Sequence, residues 1–424
     1  MITVTTWEGM QIPFPDHIDQ RKLADLLLRA TAHMNPPAFR FKGGRLHAAE
    51  IVGCIQTSGI RVNVLPKLDT PSEERDRAFL INMLTAADYL KKPFSAPAHV
   101  KASSLDPLEM LIFEVASEIS SGLFDGVPRR YEEKQEELST VRGRIDFQRL
   151  ATKLPSDQIR IPVRYSPLHA NNKLTVSLKG ITLLLHRISK SNANRLLLAS
   201  VLSQFDAVPT QKLELSALMS LRLTTAEKRW ARAISVAKML LSSQSPDPTF
   251  SGQNEAFSLL FPLQHLFERA MRNILLTALA ESDIQSTHHS ESRFLYHDEN
   301  DGSGVVRLRP DYLLKKSEEI IAVADAKWKR ASDTGRAYGM NRDDLYQLAA
   351  YLSRYQASHA LVFLPKAPWM SQSWTARYRS PDGNDQVHLI GIDIERLVSR
   401  NKTVRAEATR DLSLMITREL IGNK

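Results

Sequence analysis

Apolar side chains recur along this chain at two spacings, and the change from one to the other marks its parts. Glu50-Ile-Val-Gly-Cys-Ile-Gln56 and Ile60-Arg-Val-Asn-Val-Leu65 flank a Thr-Ser-Gly turn, and the clean alternation of the second run predicts a β-hairpin. Residues 1–70 therefore read as a small β-rich module, a plain folded hairpin whose outward polar residues are open for docking. From 77 to 245 the spacing becomes helical. Asp106-Pro-Leu-Glu109 combines an N-cap Asp, a Pro at the first helical position and a Glu at the third. Leu108, Leu111, Ile112, Val115 and Ile119 form the stripe of that helix, and Gly122 ends it. Leu174 to Ile188 predicts a second helix, Leu213 to Leu241 one long helix or two, and the charge run Glu132 to Glu137 a solvated face or loop. The Ser/Pro-rich stretch Ser242 to Pro248 predicts a boundary, with a further domain over 250–424.

In that last part both periods occur. Leu263, Leu266, Phe267, Ala270, Met271, Ile274 and Leu275 make one helical stripe, with Glu268 beside it. Leu308 to Leu314, a charged turn over Lys315 to Glu319, and Ile320 to Trp328 predict a second hairpin. Asp344 to Tyr351 predicts a helix with Gln347 and Tyr351 one turn apart on one face, and Ala360 to Leu364 a strand after it.

Candidate chemistry sits on the second hairpin. In a strand alternate side chains share a face, so Asp325 and Lys327 point the same way as Ile321 and Val323. Asp311 of Arg309-Pro-Asp311 lies where the closed turn would bring it beside Asp325. The strand Ile-Ile-Ala-Val-Ala-Asp-Ala reads as buried, where an unpaired carboxylate is costly and wants a metal or a partner. Hydrolysing a phosphodiester needs charge neutralised on a pentavalent oxyanion and a water made nucleophilic, and a hard cation held by carboxylates supplies both. Mg²⁺ takes only one or two protein carboxylates, so Asp311 and Asp325 with the Ala326 carbonyl suffice. Lys327 would hold the water or offset developing charge, and Lys329 and Arg330 would meet DNA phosphates. Glu268 either reaches the metal from its helix or pairs with Arg272 one turn on.

Helix, hairpin, helix, strand is the order of the PD-(D/E)xK nuclease core, and the Gln347-x-x-x-Tyr351 helix resembles its RecB-like branch. Three earlier blocks, Asn82-Met-Leu-Thr-Ala-Ala-Asp-Tyr89, Val141-Arg-Gly-Arg-Ile-Asp-Phe147 and Asn171-Asn-Lys-Leu-Thr-Val176, precede that set. In this order the four blocks resemble the McrC family, the nuclease subunits of McrBC-type, modification-dependent restriction systems, over about 77–424. The resemblance implies a multidomain α+β/α/β fold with a C-terminal restriction-endonuclease-like domain. It also implies catalytic roles for Asp311, Asp325, Lys327, Glu268 and Gln347, DNA contact at Tyr351, and double-stranded DNA as substrate. It further implies an McrB-like AAA+ GTPase ring that 77–245 would enter or cap, and pairing through nuclease domains.

Composition agrees with this reading. The 424 residues carry 43% hydrophobic side chains and a net charge of +9, a balance suited to two or three domains that meet a polyanion. Cys54 alone excludes a disulfide framework or a Cys-rich zinc site. His288, His289 and His297 among Glu291, Asp298 and Glu299 lack ligand spacing and read as a polar loop. No apolar run approaches the ~18 residues of a membrane span and no secretory pattern opens the chain, so a cytoplasmic protein without membrane contact is expected. There is no G-x-x-x-x-G-K-[ST] loop, so this chain is not expected to hydrolyse nucleotides by itself, and the resemblance assigns that activity to the AAA+ partner. Two other readings use the same residues: a RecB-like repair nuclease working without a GTPase ring, and a catalytically silent NTPase-activating adaptor.

Overall fold

The computed structural model describes residues 2–14, 20–32, 34–56, 60–90, 106–131, 133–152, 160–242, 257–288, 291–335 and 337–422. The Thr57 to Gly59 turn, Glu132, His289 and nearly all of the Ser242 to Pro248 stretch fall outside them. The chain forms two compact units, one of Met1–Pro107 with Asp247–Lys424 and one of Leu108–Pro246. This differs from the expected three-part division, because residues 1–70 do not stand apart from the C-terminal part.

The reason is a shared sheet. Strands β1 (Ile2–Trp7), β2 (Ile51–Gln56) and β3 (Ile60–Leu65) are joined by β4 (Phe257–Pro262) in the order β1-β3-β2-β4. The expected hairpin of β2 and β3 is present, β1 runs parallel to β3, and β4 pairs antiparallel with β2 from Phe257↔Gln56 to Pro262↔Ile51. Gly53 permits that pairing: its φ is +125°, and a Cβ there would lie 2.0 Å from the Leu259 carbonyl oxygen. Every residue of β3 is buried, which corrects the expectation of outward polar side chains. A strand flanked on both edges and covered on both faces has no outward side, so Arg61 is enclosed and meets Asp106 at 2.6 Å.

After α1 (Glu73–Ala86), β4 leads directly into α2 (Leu263–Ala278), whose predicted stripe is buried throughout. The second sheet takes β5 (Ile284–His288), β6 (Tyr312–Lys316), β7 (Glu319–Ala326), β8 (His359–Pro365), β9 (Thr375–Arg379) and β10 (Gln386–Ile392) in the order β5-β6-β7-β8-β10-β9. The predicted hairpin is β6-β7, with a tighter turn than expected at Ser317 and Glu318, both at positive φ. β7, β8 and β10 are mutually parallel. Helix α3 (Arg342–Tyr355) packs its Leu348, Tyr351, Leu352 and Tyr355 on the face carrying Leu313, Val323 and Val362. Tyr312, the neighbour of Leu313, points to the other face, where its hydroxyl donates to the Glu268 carbonyl of α2 at 2.5 Å.

The Asn82 to Tyr89 block explains itself here. It ends α1 and docks on α2: Arg269 donates to the Ala87 carbonyl at 2.6 Å and lies over the Tyr89 ring, and Asn273 donates to the Ala86 carbonyl at 2.8 Å.

In the other unit the helices Pro107–Gly122, Lys173–Ile188, Asn192–Ser203 and Ala231–Ser242 agree with the helical expectation. Two small sheets join them. Lys134–Leu138, expected as a solvated face or loop, is a strand paired antiparallel with Ile161–Tyr165. The Leu213 to Leu241 stretch is broken into Leu215–Ser220, a 3₁₀ turn over Ala226–Trp230, and Ala231–Ser242. Glu109 does not close a capping box; its carboxylate accepts from Ser189 at 2.7 Å, the Lys190 N–H at 2.6 Å and Asn194 at 2.9 Å. The remaining blocks are structural: Asn172 caps Lys173–Ile188, and Asp146 caps Phe147–Ala151 while pairing with Arg164 at 2.7 Å. Among the described residues no helix is long and apolar enough to cross a membrane.

Candidate active site

The register of the hairpin brings the two aspartates together. Tyr312 pairs with Ala324, so Asp311, one step before β6, stands against Asp325. Asp311 accepts the Ala326 N–H at 2.9 Å. Both are buried, at 9% and 4% exposure, in a chain where most acids face water. Around them three backbone carbonyls are held by side chains of α3 and β5. Tyr351 donates to the Arg309 carbonyl at 3.1 Å, Tyr355 to the Leu308 carbonyl at 3.2 Å, and His288 Nδ1 lies 2.8 Å from the Asp311 carbonyl.

Lys327 points where the alternation predicts. Its ammonium is 2.7 Å from Asp325 Oδ2, 3.2 Å from Gln347 Oε1 and 3.6 Å from Asp344 Oδ1. Gln347 in turn donates to the Tyr351 hydroxyl at 2.8 Å, so α3 positions the lysine through the side chain that the sequence singled out. Glu268 lies near enough for its charge to be felt by Asp311, and its carboxylate accepts from Gln264 at 2.7 Å, one turn earlier on α2. The i, i+4 partner is thus N-terminal to Glu268, where the alternative to metal contact put it at Arg272 on the other side.

Electrostatics follow from burial. Burial, then the charges of Asp325 and Glu268, push Asp311 up to about 9 despite the Ala326 N–H. Burial, reinforced by Asp325, raises Glu268 as well. For Lys327, burial alone would lower the ammonium, but Asp325, Asp344 and Asp311 outweigh it and hold the group charged. Burial also works against the Asp344 carboxylate, yet Lys329, Asn341 and Lys327 keep it below its ordinary range. Lys329 serves Asp344, so Asp311 and Asp325 share the single charge of Lys327, and Asp325 Oδ2 meets that lysine as an ion pair without hydrogen-bond geometry. Such a donor set fits a divalent cation better than it fits a dry interior. No cluster of three or more His, Cys, Asp or Glu side chains is arranged as a metal cage among the described residues. Asp311, Asp325 and the Ala326 carbonyl are the groups that would hold an ion here, a small protein share of the kind Mg²⁺ takes beside its own waters.

The three side chains expected to meet DNA lie differently. Lys329 pairs with Asp344, and Arg330 donates to the Lys67 and Leu68 carbonyls at 3.0 and 3.2 Å, each leaving donors over. Tyr351 is buried at 3% and holds the Arg309 carbonyl, so its place is under the site. His288 and His297 are on strands, where a loop was expected.

Sequence reasoning passed over Gln264 and Asp344. Gln264 donates to the Ala326 carbonyl and accepts the Trp328 N–H at 2.7 Å, bracketing the end of β7 beside Lys327. Its signal was position, one turn before Glu268. Asp344 closes a capping box with Asn341, legible as Asn-x-x-Asp.

Residues 46–364 match the family described as McrBC 5-methylcytosine restriction system component. Comparison with curated proteins finds no match. Among solved structures, a half-complex from the tetradecameric assembly of Thermococcus gammatolerans McrB AAA+ hexamers with bound McrC is similar at a TM-score of 0.69 and 17% identity. The match covers 97% of this chain and all of that one. The Thermococcus gammatolerans McrBC complex is similar at 0.52 and 20% identity, over 66% of this chain and 88% of that one. At such identities the likeness is one of fold, and it spans both compact units. With three quarters of its length inside the family match, this chain belongs to the McrBC restriction system component family.

Proposed function

We propose that this chain is the McrC-type subunit of a McrBC restriction complex, and that its C-terminal part is a PD-(D/E)xK domain that hydrolyses phosphodiester bonds of double-stranded DNA with Mg²⁺. The observation that carries the reading is the convergence of Asp311, Asp325 and Lys327 on a buried strand end with too little positive charge to balance them. Mg²⁺ held by Asp311, Asp325 and the Ala326 carbonyl would polarise the scissile phosphate and lower the pKa of water. The side chains of this chain do the remainder. Lys327, kept charged by its acids and aimed by Gln347, offsets charge developing on the phosphate oxygens. Asp311, pushed up to about 9 by burial and by the charges of Asp325 and Glu268, would hold the cation as a carboxylate and give up its proton to solvent in doing so. Gln264 fixes the Ala326 carbonyl, and Tyr351 the approach to Asp311, so the constellation is held before DNA binds.

The solved complex with 0.69 TM-score carries McrB AAA+ hexamers with bound McrC, and this chain lacks a nucleotide-binding loop of its own. An McrB-like ring is therefore its partner and supplies GTP hydrolysis and recognition of modified DNA, while the chain stimulates the ring and cuts. Pairing of two nuclease domains would give the double-strand break.

The test replaces one ligand. In full chain assembled with its AAA+ partner, Asp325→Ala is expected to abolish cleavage and leave partner binding and GTPase stimulation at wild-type levels. Cutting by that variant would remove the site assignment. Loss of assembly in a folded variant would remove the separation of roles.

A further inference from the structure

Directly beyond Lys327 the chain enters the wall of a cavity of about 500 Å³, within the ~300–1,000 Å³ of pockets that enclose small ligands. It opens at the carboxyl ends of β7, β8 and β10, through Trp328 to Ala331, Pro365 to Trp369 and Ile392 to Glu395, the side of an open α/β sheet where ligands bind. Its opposite wall is Glu8 and Lys67 to Asp69, from the β1-β3 sheet.

Charge in this cavity is unevenly committed. Asp393 caps the short helix Ile394–Leu397, Glu395 pairs with Arg75 at 2.6 Å, and Lys329 pairs with Asp344. The ammoniums of Lys67 and Lys366 have no carboxylate partner among the described residues, and Arg330 spends its contacts on neutral carbonyls. The carboxylates facing these three cations are Asp69, Asp393 and Glu8, the last pushed up to about 7 by burial, so that it carries only part of its charge at neutral pH. Trp369 lines the same space with 38% of its surface exposed, its ring steadied by Tyr338 and Trp374. Unpaired cations beside an exposed aromatic ring are the ingredients of a single-strand nucleic-acid site: phosphates take the charge and a base stacks on the ring.

We propose that this cavity is a subsite for an unpaired nucleotide of the DNA strand beside the cut, its base on Trp369 and its phosphates on Lys67, Arg330 and Lys366. The inference rests on the nuclease reading above and gives residues 1–70 a place in it: they supply one wall of the DNA path. Because the cavity begins where the Asp325-x-Lys327 strand ends, a strand whose phosphate lies at the aspartates continues into it.

The experiment uses the full chain and a fluorescein-labelled thymidine hexanucleotide, followed by anisotropy in EDTA so that nothing is cut. Lys67→Gln with Lys366→Gln is expected to weaken binding at least tenfold, and to lower the slope of log affinity against log salt by about 1.4 for two lost phosphate contacts. Trp369→Ala is expected to weaken it by roughly fivefold or more, and Trp369→Phe to restore most of that loss. Binding within twofold of wild type in Lys67→Gln/Lys366→Gln, with an unchanged slope, overturns the subsite, as does equal binding by Trp369→Ala and Trp369→Phe. Asp325→Asn keeps the two readings apart. It should cut nothing in Mg²⁺; cutting by Asp325→Asn overturns the nuclease reading and leaves the subsite to be judged by the binding of the Lys67, Lys366 and Trp369 variants.

Discussion

Asp311→Asn should make the metal-free protein more stable while destroying its activity. Asparagine fills the same space and still accepts the Ala326 N–H through Oδ1, so what changes is charge alone. In the folded chain Asp311 titrates at about 9, well above the 3.8 of an unperturbed aspartate. The folded state therefore keeps a proton that the unfolded state has already lost. Stability falls as pH rises from about 4 towards about 9, and is level outside that window. At pH 7.5 the gap sets an upper bound of about 5 kcal/mol on the cost of the wild-type carboxyl. Spread over 424 residues, that is at most about 6 °C in Tm. Differential scanning fluorimetry in EDTA at pH 5 and pH 8 should give the two proteins similar Tm at pH 5 and a variant higher by about 2–5 °C at pH 8. Added Mg²⁺ should close the difference by raising wild type alone, by about 3 °C at a hundredfold excess over its dissociation constant. Parallel pH profiles, or equal stabilisation of both proteins by Mg²⁺, would refute the argument that these acids are held together awaiting a cation.

Three further outcomes test the scaffold around the site. Gln264→Ala leaves the Trp328 N–H and the Ala326 carbonyl without their partner, and should cost about 2–3 kcal/mol by urea denaturation and slow cleavage, whereas Gln264→Glu should keep the acceptor for Trp328 and lose less stability. Gly53→Ala puts a methyl on the Leu259 carbonyl at a φ that L residues rarely adopt, so it should destabilise by about 3 kcal/mol or more, seen as loss of soluble protein or a large drop in Tm. Glu419 is held down to about 2, because Arg377 and His388 outweigh the cost of burial. Its contribution is present above about pH 4.5 and lost as pH falls towards 2, and Glu419→Gln should flatten the acid limb of the Tm profile.

Much of the site could be read from local pattern, for reasons visible in the hairpin. Asp311 and Asp325 lie on one hairpin closed by a short turn, both legible in one stretch of sequence, but it is the register shift between Leu314 and Lys315 that sets Asp311 against Asp325; an unbroken ladder from the turn would set it against Ala324. Gln347 reaches Lys327 because helical spacing puts it on the face that Leu348 and Tyr351 bury. What escaped was set by contacts distant in sequence. Nothing in Phe257 to Pro262 says that it will close the sheet of Ile51 to Gln56, so residues 1–70 were set apart when they belong with the C-terminal part. Arg61 and Asn63 read as outward positions because alternation reports a two-faced strand, and β3 is covered on both faces. Tyr351 read as a residue for DNA, but its hydroxyl is spent on the Arg309 carbonyl, a partner that no helical pattern names.

The central claim is that Asp311, Asp325 and Lys327 form a metal-dependent centre for phosphodiester hydrolysis. Single-turnover cleavage of a modified duplex by the full chain with its AAA+ partner tests it directly, in Mg²⁺ and in EDTA, for wild type, Asp325→Ala and Lys327→Ala. Wild type should cut in Mg²⁺ alone, with each variant slower by about a thousandfold or more, the scale of a lost electrostatic contact in a transition state. Wild-type cutting in EDTA, or variants within a few fold of wild type in Mg²⁺, would contradict it.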